Sequence, residues 1–101
     1  MSKYHALKTE VDNIKFASRR EAARYSQLKL LEASGAISNL ELQPKFPIVV
    51  NGVKICTYIA DFQYVETGAK VIEDSKGFRT PVYRLKKKLM QAVYDIDILE
   101  T

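Results

Sequence analysis

The sequence predicts an α/β fold in which a mixed β-sheet is flanked by two helices, the chain running helix, several antiparallel strands, helix, strand. Three observations carry this expectation. Ser18-Arg19-Arg20-Glu21 opens a stretch whose apolar residues recur at helical spacing as far as Ser34. Thr80-Pro81 opens a second such stretch. Between them lie short runs rich in β-branched and aromatic residues, punctuated by Asn51-Gly52 and Thr67-Gly68, which favour hairpin turns.

Residues 1–13 are polar and mixed in charge, with Asp12-Asn13 reading as a turn, so they are expected to form a flexible N-terminal arm before a single domain over 14–101. His5, the one histidine, reads as solvated rather than as a ligand for DNA or metal. Ile14-Lys15-Phe16 reads as a short extended lead-in. The Ser18-x-x-Glu21 spacing is a capping box, Tyr25, Leu28 and Leu31 make an inward stripe, and Gly35 is placed to end the helix. Glu21 lies one turn before Tyr25 on that stripe. Two roles are therefore open to it, helix cap or ligand facing the sheet.

Leu40 and Leu42 alternate with Glu41 and Gln43 as in a half-buried strand, which Pro44 and Pro47 break or edge. Two places are open to Gln43, near the site or on the surface, and the ordinary surface amide is the stronger reading. Asn51-Gly52 should hand the chain into one long strand ending near Val65. Gly77 marks the end of a strand, Thr80 caps the second helix with Pro81 in its first turn, and Val82, Leu85, Leu89 and Val93 are expected to be its buried stripe. Ile96 and Ile98 suggest a final strand, reached by a right-handed parallel crossover.

The hairpin between residues 58 and 77 holds the chemistry. With Thr67-Gly68 as its loop, Glu66 faces Ala69, Val65 faces Lys70, Gln63 faces Ile72, and Asp61 faces Asp74. Alternation puts Asp61, Asp74 and Lys76 on one side of the sheet and Glu73 and Ser75 on the other. Carboxylates directly opposed, with Cβ atoms roughly 4.5–5.5 Å apart, repel. A shared divalent cation and a nearby ammonium would compensate them, and Mg²⁺ is suited to a site of one or two carboxylates. A turn slipped by one residue would exchange Glu73 for Asp74.

An aspartate ending a hydrophobic strand, followed on the next strand by Asp74-Ser75-Lys76, resembles the PD-(D/E)xK nuclease signature. More closely, Lys3-Tyr4-His5-Ala6, Ser18-Arg19-Arg20-Glu21-Ala22, Leu40-Glu41-Leu42-Gln43-Pro44-Lys45-Phe46, Tyr58-Ile59-Ala60-Asp61-Phe62 and Glu73-Asp74-Ser75-Lys76-Gly77 together resemble a family of small phage-encoded proteins of that superfamily, similar to Holliday junction resolvase-type endonucleases. The similarity covers most of the chain. Ala60 departs from the signature's proline, at a position that varies in the superfamily. The resemblance implies a restriction-endonuclease-like core (αβββαβ) and a DNA endonuclease using Mg²⁺, with Mn²⁺ able to substitute. It implies Asp61, Asp74, Glu21 and the carbonyl of Ser75 as metal ligands, Lys76 as the catalytic lysine beside these acids, and a homodimer acting on branched or duplex DNA. For Glu21 it favours the ligand over the cap.

Composition sets outer limits. A chain of 101 residues makes one domain with a modest core. A net charge of +4 favours a polyanionic partner and says nothing of fold. Arg79, Arg84, Lys86, Lys87 and Lys88 are candidates to grip DNA phosphates, although without the adjacent motif such a run reads as a solvated face. Cys56 is the only cysteine, which excludes an intramolecular disulfide and a cysteine-rich zinc site and fits a reducing cytoplasm, that of the host cell if the protein is phage-encoded. No apolar run suggests a signal peptide or membrane helix. With no glycine-rich phosphate loop, nucleic-acid hydrolysis ranks above other phosphoryl transfer. The competing class is a non-enzymatic DNA- or protein-binding phage protein that retains the nuclease fold, which an absent acid or lysine would mark; all are present.

Overall fold

Tight turns set most of the strand pairing in the computed structural model, which describes residues 9–101. Asp12-Asn13, Asn51-Gly52 and Thr67-Gly68 each have positive φ at both positions, as two-residue hairpin loops require. They join β1 (Thr9–Val11) to β2 (Ile14–Phe16), β4 (Lys45–Val50) to β5 (Val53–Ile59), and β6 (Phe62–Glu66) to β7 (Ala69–Asp74). The first hairpin corrects the expected arm over 1–13, because Thr9 to Asn13 are strand and turn. Val11 and Ile14 pack on the core and the Tyr25 hydroxyl donates to Asp12 Oδ2 at 3.0 Å, a tertiary anchor that a polar segment does not advertise. His5 and the rest of the arm lie outside the described residues.

Helix α1 (Arg19–Ala33) starts where the capping box predicts, Ser18 Oγ accepting the Glu21 N–H at 3.2 Å. It ends in a Schellman arrangement: Gly35 has φ +84°, its N–H reaches Glu32 O, and the Ala36 N–H reaches Leu31 O at 2.9 Å. Glu21, Ala22, Tyr25 and Leu28 are buried, whereas Leu31, expected on the same stripe, is exposed. Half-buried Glu32 takes the inward place in that turn, accepting the Leu40 N–H at 3.1 Å.

Strand β3 (Ser38–Leu42) pairs antiparallel with β6, β6 with β7, and β7 lies parallel to the short β8 (Leu99–Glu100), giving a mixed sheet in the order β3-β6-β7-β8. The β4-β5 ribbon stands apart from it. The single long strand expected up to Val65 is thus two strands. Ala60 N–H still bonds to Pro44 O, but Asp61 N–H bonds to Glu73 O, so the chain changes partner between these residues while its alternation runs on unbroken. The final strand is also shorter than expected, since Ile96 and Ile98 pack into the core and only Leu99 and Glu100 pair with Glu73 and Asp74.

Helix α2 (Pro81–Tyr94) is capped by Thr80 Oγ1, which accepts the Tyr83 N–H at 3.1 Å. Its buried face is not the predicted one. Tyr83 and Met90 are buried, Val82, Leu85 and Val93 are exposed, and only Leu89 of the expected stripe packs inward. The ribbon decides this: Tyr94 meets Phe46 edge-on at 5.7 Å and Tyr83 lies 6.5 Å from Tyr58, so the helix turns its aromatic side to an aromatic surface. One core, containing Phe16, Tyr25, Leu28 and Phe62, lies under α1; the other, containing Ile48, Tyr58, Ile72 and Met90, lies under α2 and the ribbon. Among the described residues no helix is long and apolar enough to cross a membrane.

Candidate active site

The β6-β7 ladder pairs Phe62 with Glu73, and one step beyond it Asp61 meets Asp74 as the turn register predicts. Each carboxylate is held by the other's strand. Asp61 N–H donates to Asp74 Oδ1 at 3.0 Å, and Ser75 N–H donates to Asp61 Oδ2 at 2.8 Å. Lys76 Nζ stands 3.7 Å from Asp74 Oδ1 and 4.6 Å from the centre of the Tyr83 ring, so the ammonium is held between a carboxylate and an aromatic face. Asp74 is fully buried, and among the described residues its Oδ2 has no hydrogen-bond partner. A buried carboxylate oxygen left unpaired is costly unless something binds there.

Burial pushes the Asp74 carboxyl up to about 6, against the opposing pull of Lys76 and the Asp61 amide. Asp61 is raised by burial, with the Ser75 N–H and Lys76 acting the other way. Glu21 is raised by burial and then by the charges of Asp61 and Asp74. Three acids thus share one electrostatic environment that disfavours their ionised forms, which is the condition a cation relieves.

The donor set fits Mg²⁺ as a two-carboxylate site. Asp61 and Asp74 supply oxygens on one face, and Asp74 Oδ2 is spare. Ser75, whose carbonyl was expected to join them, is fixed at this point by its own N–H bond to Asp61. Among the described residues, however, no three histidine, cysteine, aspartate or glutamate side chains converge closely enough to hold an ion together. Glu21 lines a cavity of about 120 Å³ with Lys15, Phe16, Gln43 and Asp61, close enough to feel both aspartates through charge. Among the described residues it therefore borders the two aspartates without converging with them on one point. The cap engages its backbone N–H, and its carboxylate also accepts a backbone hydrogen bond from Ala17. Glu21→Gln should accordingly leave the melting temperature unchanged or slightly raised and lower Mg²⁺-dependent activity roughly 10–100-fold, the effect of losing an outer-shell partner. Melting curves and rates at matched Mg²⁺ concentration check it; full activity at parent stability would reduce Glu21 to a helix cap.

Glu73 points to the opposite side of the sheet, as the alternation predicts, and is fully buried. Its carboxylate accepts both arms of the Arg24 guanidinium, one of them Nη2 at 3.0 Å, together with the Tyr64 hydroxyl and Thr101 Oγ1. Burial and then Glu73 hold the Tyr64 hydroxyl up at about 12. This clamp fastens α1 to β7 beside Asp74. Sequence reading passed over Arg24, whose signal was its position one helical turn after Glu21, facing an acid that alternation turns away from the other carboxylates.

The five basic residues of the second helix region do not share one surface. Lys86 lines a cleft of about 280 Å³ together with Lys76. Arg79, Arg84, Lys87 and Lys88 line a separate groove of about 400 Å³. There Glu100 pairs with Arg79 at 2.9 Å and Lys87 at 3.3 Å and accepts the Tyr83 hydroxyl at 2.8 Å, so part of the positive charge is already answered within the chain. Gln43 is exposed, as a surface amide should be, and it also approaches the site: it has φ +52°, donates its N–H to Asp61 O at 3.0 Å and lines the Glu21 cavity. Tyr83 and Lys15 were likewise unforeseen here, since neither belongs to a motif. No curated protein and no solved structure matches the chain. A family model described as "Protein of unknown function (DUF1064)" matches residues 1–98, nearly the whole length, and the chain belongs to that family.

Proposed function

We propose that the protein is a Mg²⁺-dependent DNA endonuclease with a restriction-endonuclease-like core. The observation that carries this reading is the fully buried Asp74, its Oδ2 unpartnered, fixed against Asp61 and within reach of Lys76. The sequence of elements supports it: setting aside the β1-β2 and β4-β5 hairpins, the chain runs α1, β3, β6, β7, α2, β8, the αβββαβ order that the PD-(D/E)xK resemblance implies. Asp61 and Asp74 would hold the ion, and Glu21 would order water at its edge. Mg²⁺ or Mn²⁺, when bound, supplies Lewis-acid polarisation of the phosphate and lowers the pKa of water. Lys76, steered by Asp74 and Tyr83, orients the attacking water and stabilises negative charge on the phosphate oxygens. Lys86 extends the positive surface from that point, while Arg79, Arg84, Lys87 and Lys88 contact phosphates farther along the duplex.

Incubation with end-labelled DNA in Mg²⁺ and in EDTA tests the reading. Cutting is expected in Mg²⁺ only, with a rise in melting temperature across millimolar Mg²⁺. At a hundred times the Kd, ion binding stabilises by about 2.7 kcal/mol. Among the described residues no three acids converge, and the competing reading is a protein that binds without cutting. No cleavage and a melting temperature indifferent to Mg²⁺ and Mn²⁺ would decide for it.

A homodimer is the assembly this chemistry calls for on branched DNA, because symmetric cutting of two strands needs two sites related by a two-fold axis. The apolar area left open on α2 at Leu85 and Val93 offers burial to a second copy. A two-chain mass by light scattering at micromolar concentration, with faster cutting of four-way than of linear DNA, is the expected result; a monomer cutting both equally would refute it.

A further inference from the structure

The cleft beside Lys76 is not needed to hold two carboxylates and an ion, and its lining is unusual for a protein surface. Ile59 and Val82 stand on its walls, 49% and 62% exposed, two aliphatic side chains facing open solvent at the edge of a cationic site. Tyr58 and Tyr83 contribute to its floor, both buried, their ring centres 6.5 Å apart. Lys76 and Lys86 supply positive charge. Apolar walls with ammonium groups beside them match a flat heteroaromatic ring joined to an anion.

Resting on the nuclease reading, we propose that this cleft receives an unpaired nucleobase next to the scissile phosphate, so that the substrate is DNA with an extruded or single-stranded nucleotide at the cut. Lys76 belongs both to the cleft and to the carboxylate site, so a nucleotide seated here places its phosphate beside Asp61 and Asp74. Enzymes that admit a base to a pocket grip it between apolar or aromatic side chains and hydrogen-bond its edge. Ile59 and Val82 provide the grip, and Lys76 and Lys86 meet the anion. A base inside a continuous duplex is stacked and paired, and it cannot enter without the cost of extrusion. The preference therefore arises from the shape of the cleft without any reading of sequence.

The test measures binding in EDTA, where no cutting occurs, of a continuous duplex and of the same duplex carrying one bulged 2-aminopurine. The parent protein is expected to bind the bulged DNA about tenfold more tightly, the factor that about 1.4 kcal/mol represents, with a change in 2-aminopurine emission. Ile59→Ser and Val82→Ser, at exposed positions where folding is not at stake, should bring the two affinities within about threefold of each other and leave duplex binding as it was. Equal affinity of the parent protein for both DNAs, with Mg²⁺-dependent cutting intact, would overturn the role of the cleft and leave the nuclease standing. Absence of cutting on every DNA would overturn the nuclease reading and this inference with it.

Discussion

Asp74→Asn is expected to abolish DNA cleavage while leaving the metal-free protein at least as stable as the parent at pH 8. Burial raises the Asp74 carboxyl from an ordinary value of 3.8 to about 6 in the folded chain. Between those values the folded state holds a proton that the unfolded state has released. The stability tied to that proton is fully present below about pH 4 and is lost as pH rises through about 6. A shift of this size corresponds to a loss on the order of 2–3 kcal/mol at neutral pH. Asparagine removes the charge, keeps an oxygen for the Asp61 N–H, and forgoes only the contact with partly exposed Lys76. Catalysis moves the other way, because the variant lacks one of the two carboxylates that would hold the ion, and with it the polarisation the ion would supply.

Lys76→Ala should match that loss of rate without the gain in stability. Binding of Mg²⁺ to the parent should strengthen as pH rises from 5 to 7, since the ion competes with the Asp74 proton. Urea denaturation in EDTA from pH 4 to 8, beside cleavage assays, checks all of this. An Asp74→Asn protein that is less stable than the parent by more than about 1 kcal/mol at pH 8, or that still cuts, would show that the buried charge is not a site held ready for a cation.

The second large effect is structural. Arg24→Met should destabilise the protein by about 3–5 kcal/mol, the range seen when one partner of a buried ion pair is removed. Glu73 has no exposed surface, and among the described residues no other cation pairs with it in place of Arg24. A domain of this size has roughly 5–15 kcal/mol in total, so the variant should be partly unfolded at 37 °C. Glu73→Gln in the Arg24→Met background should recover much of the loss, because a neutral amide can keep its contacts with Tyr64 and Thr101 and no uncompensated charge remains. Denaturation of the single and double variants checks this. A cost under about 1 kcal/mol for Arg24→Met would mean that the clamp does not hold α1 against β7.

That clamp also explains how Glu21 comes to face the aspartates. The helix carrying it is pinned to β7 one turn farther on, by a residue that points away from the carboxylate site. A single substitution at Arg24 therefore reaches the candidate site without touching it.

What the sequence determined by itself was local. Turn chemistry at Thr67-Gly68 and alternation along two strands set the register that opposes Asp61 to Asp74, and the observed pairing of Val65 with Lys70 and Gln63 with Ile72 agrees with it residue for residue. The helix starts at Ser18 and Thr80 were legible for the same reason, since a cap depends on its own first turn. Only the tertiary structure decided the rest. Alternation does not reveal which neighbour a strand bonds to, so the change of partner between Ala60 and Asp61 left no mark. The second helix carries two apolar stripes, and the aromatic ribbon opposite it selected Tyr83 and Met90 over Val82, Leu85 and Val93. Arg24 on Glu73, Lys76 over Tyr83, and Glu100 on Arg79 and Lys87 join residues between 7 and 49 positions apart. Hairpins and caps are fixed by neighbours a few residues away, whereas ion pairs and helix faces are chosen by whatever surface the folded chain brings opposite them.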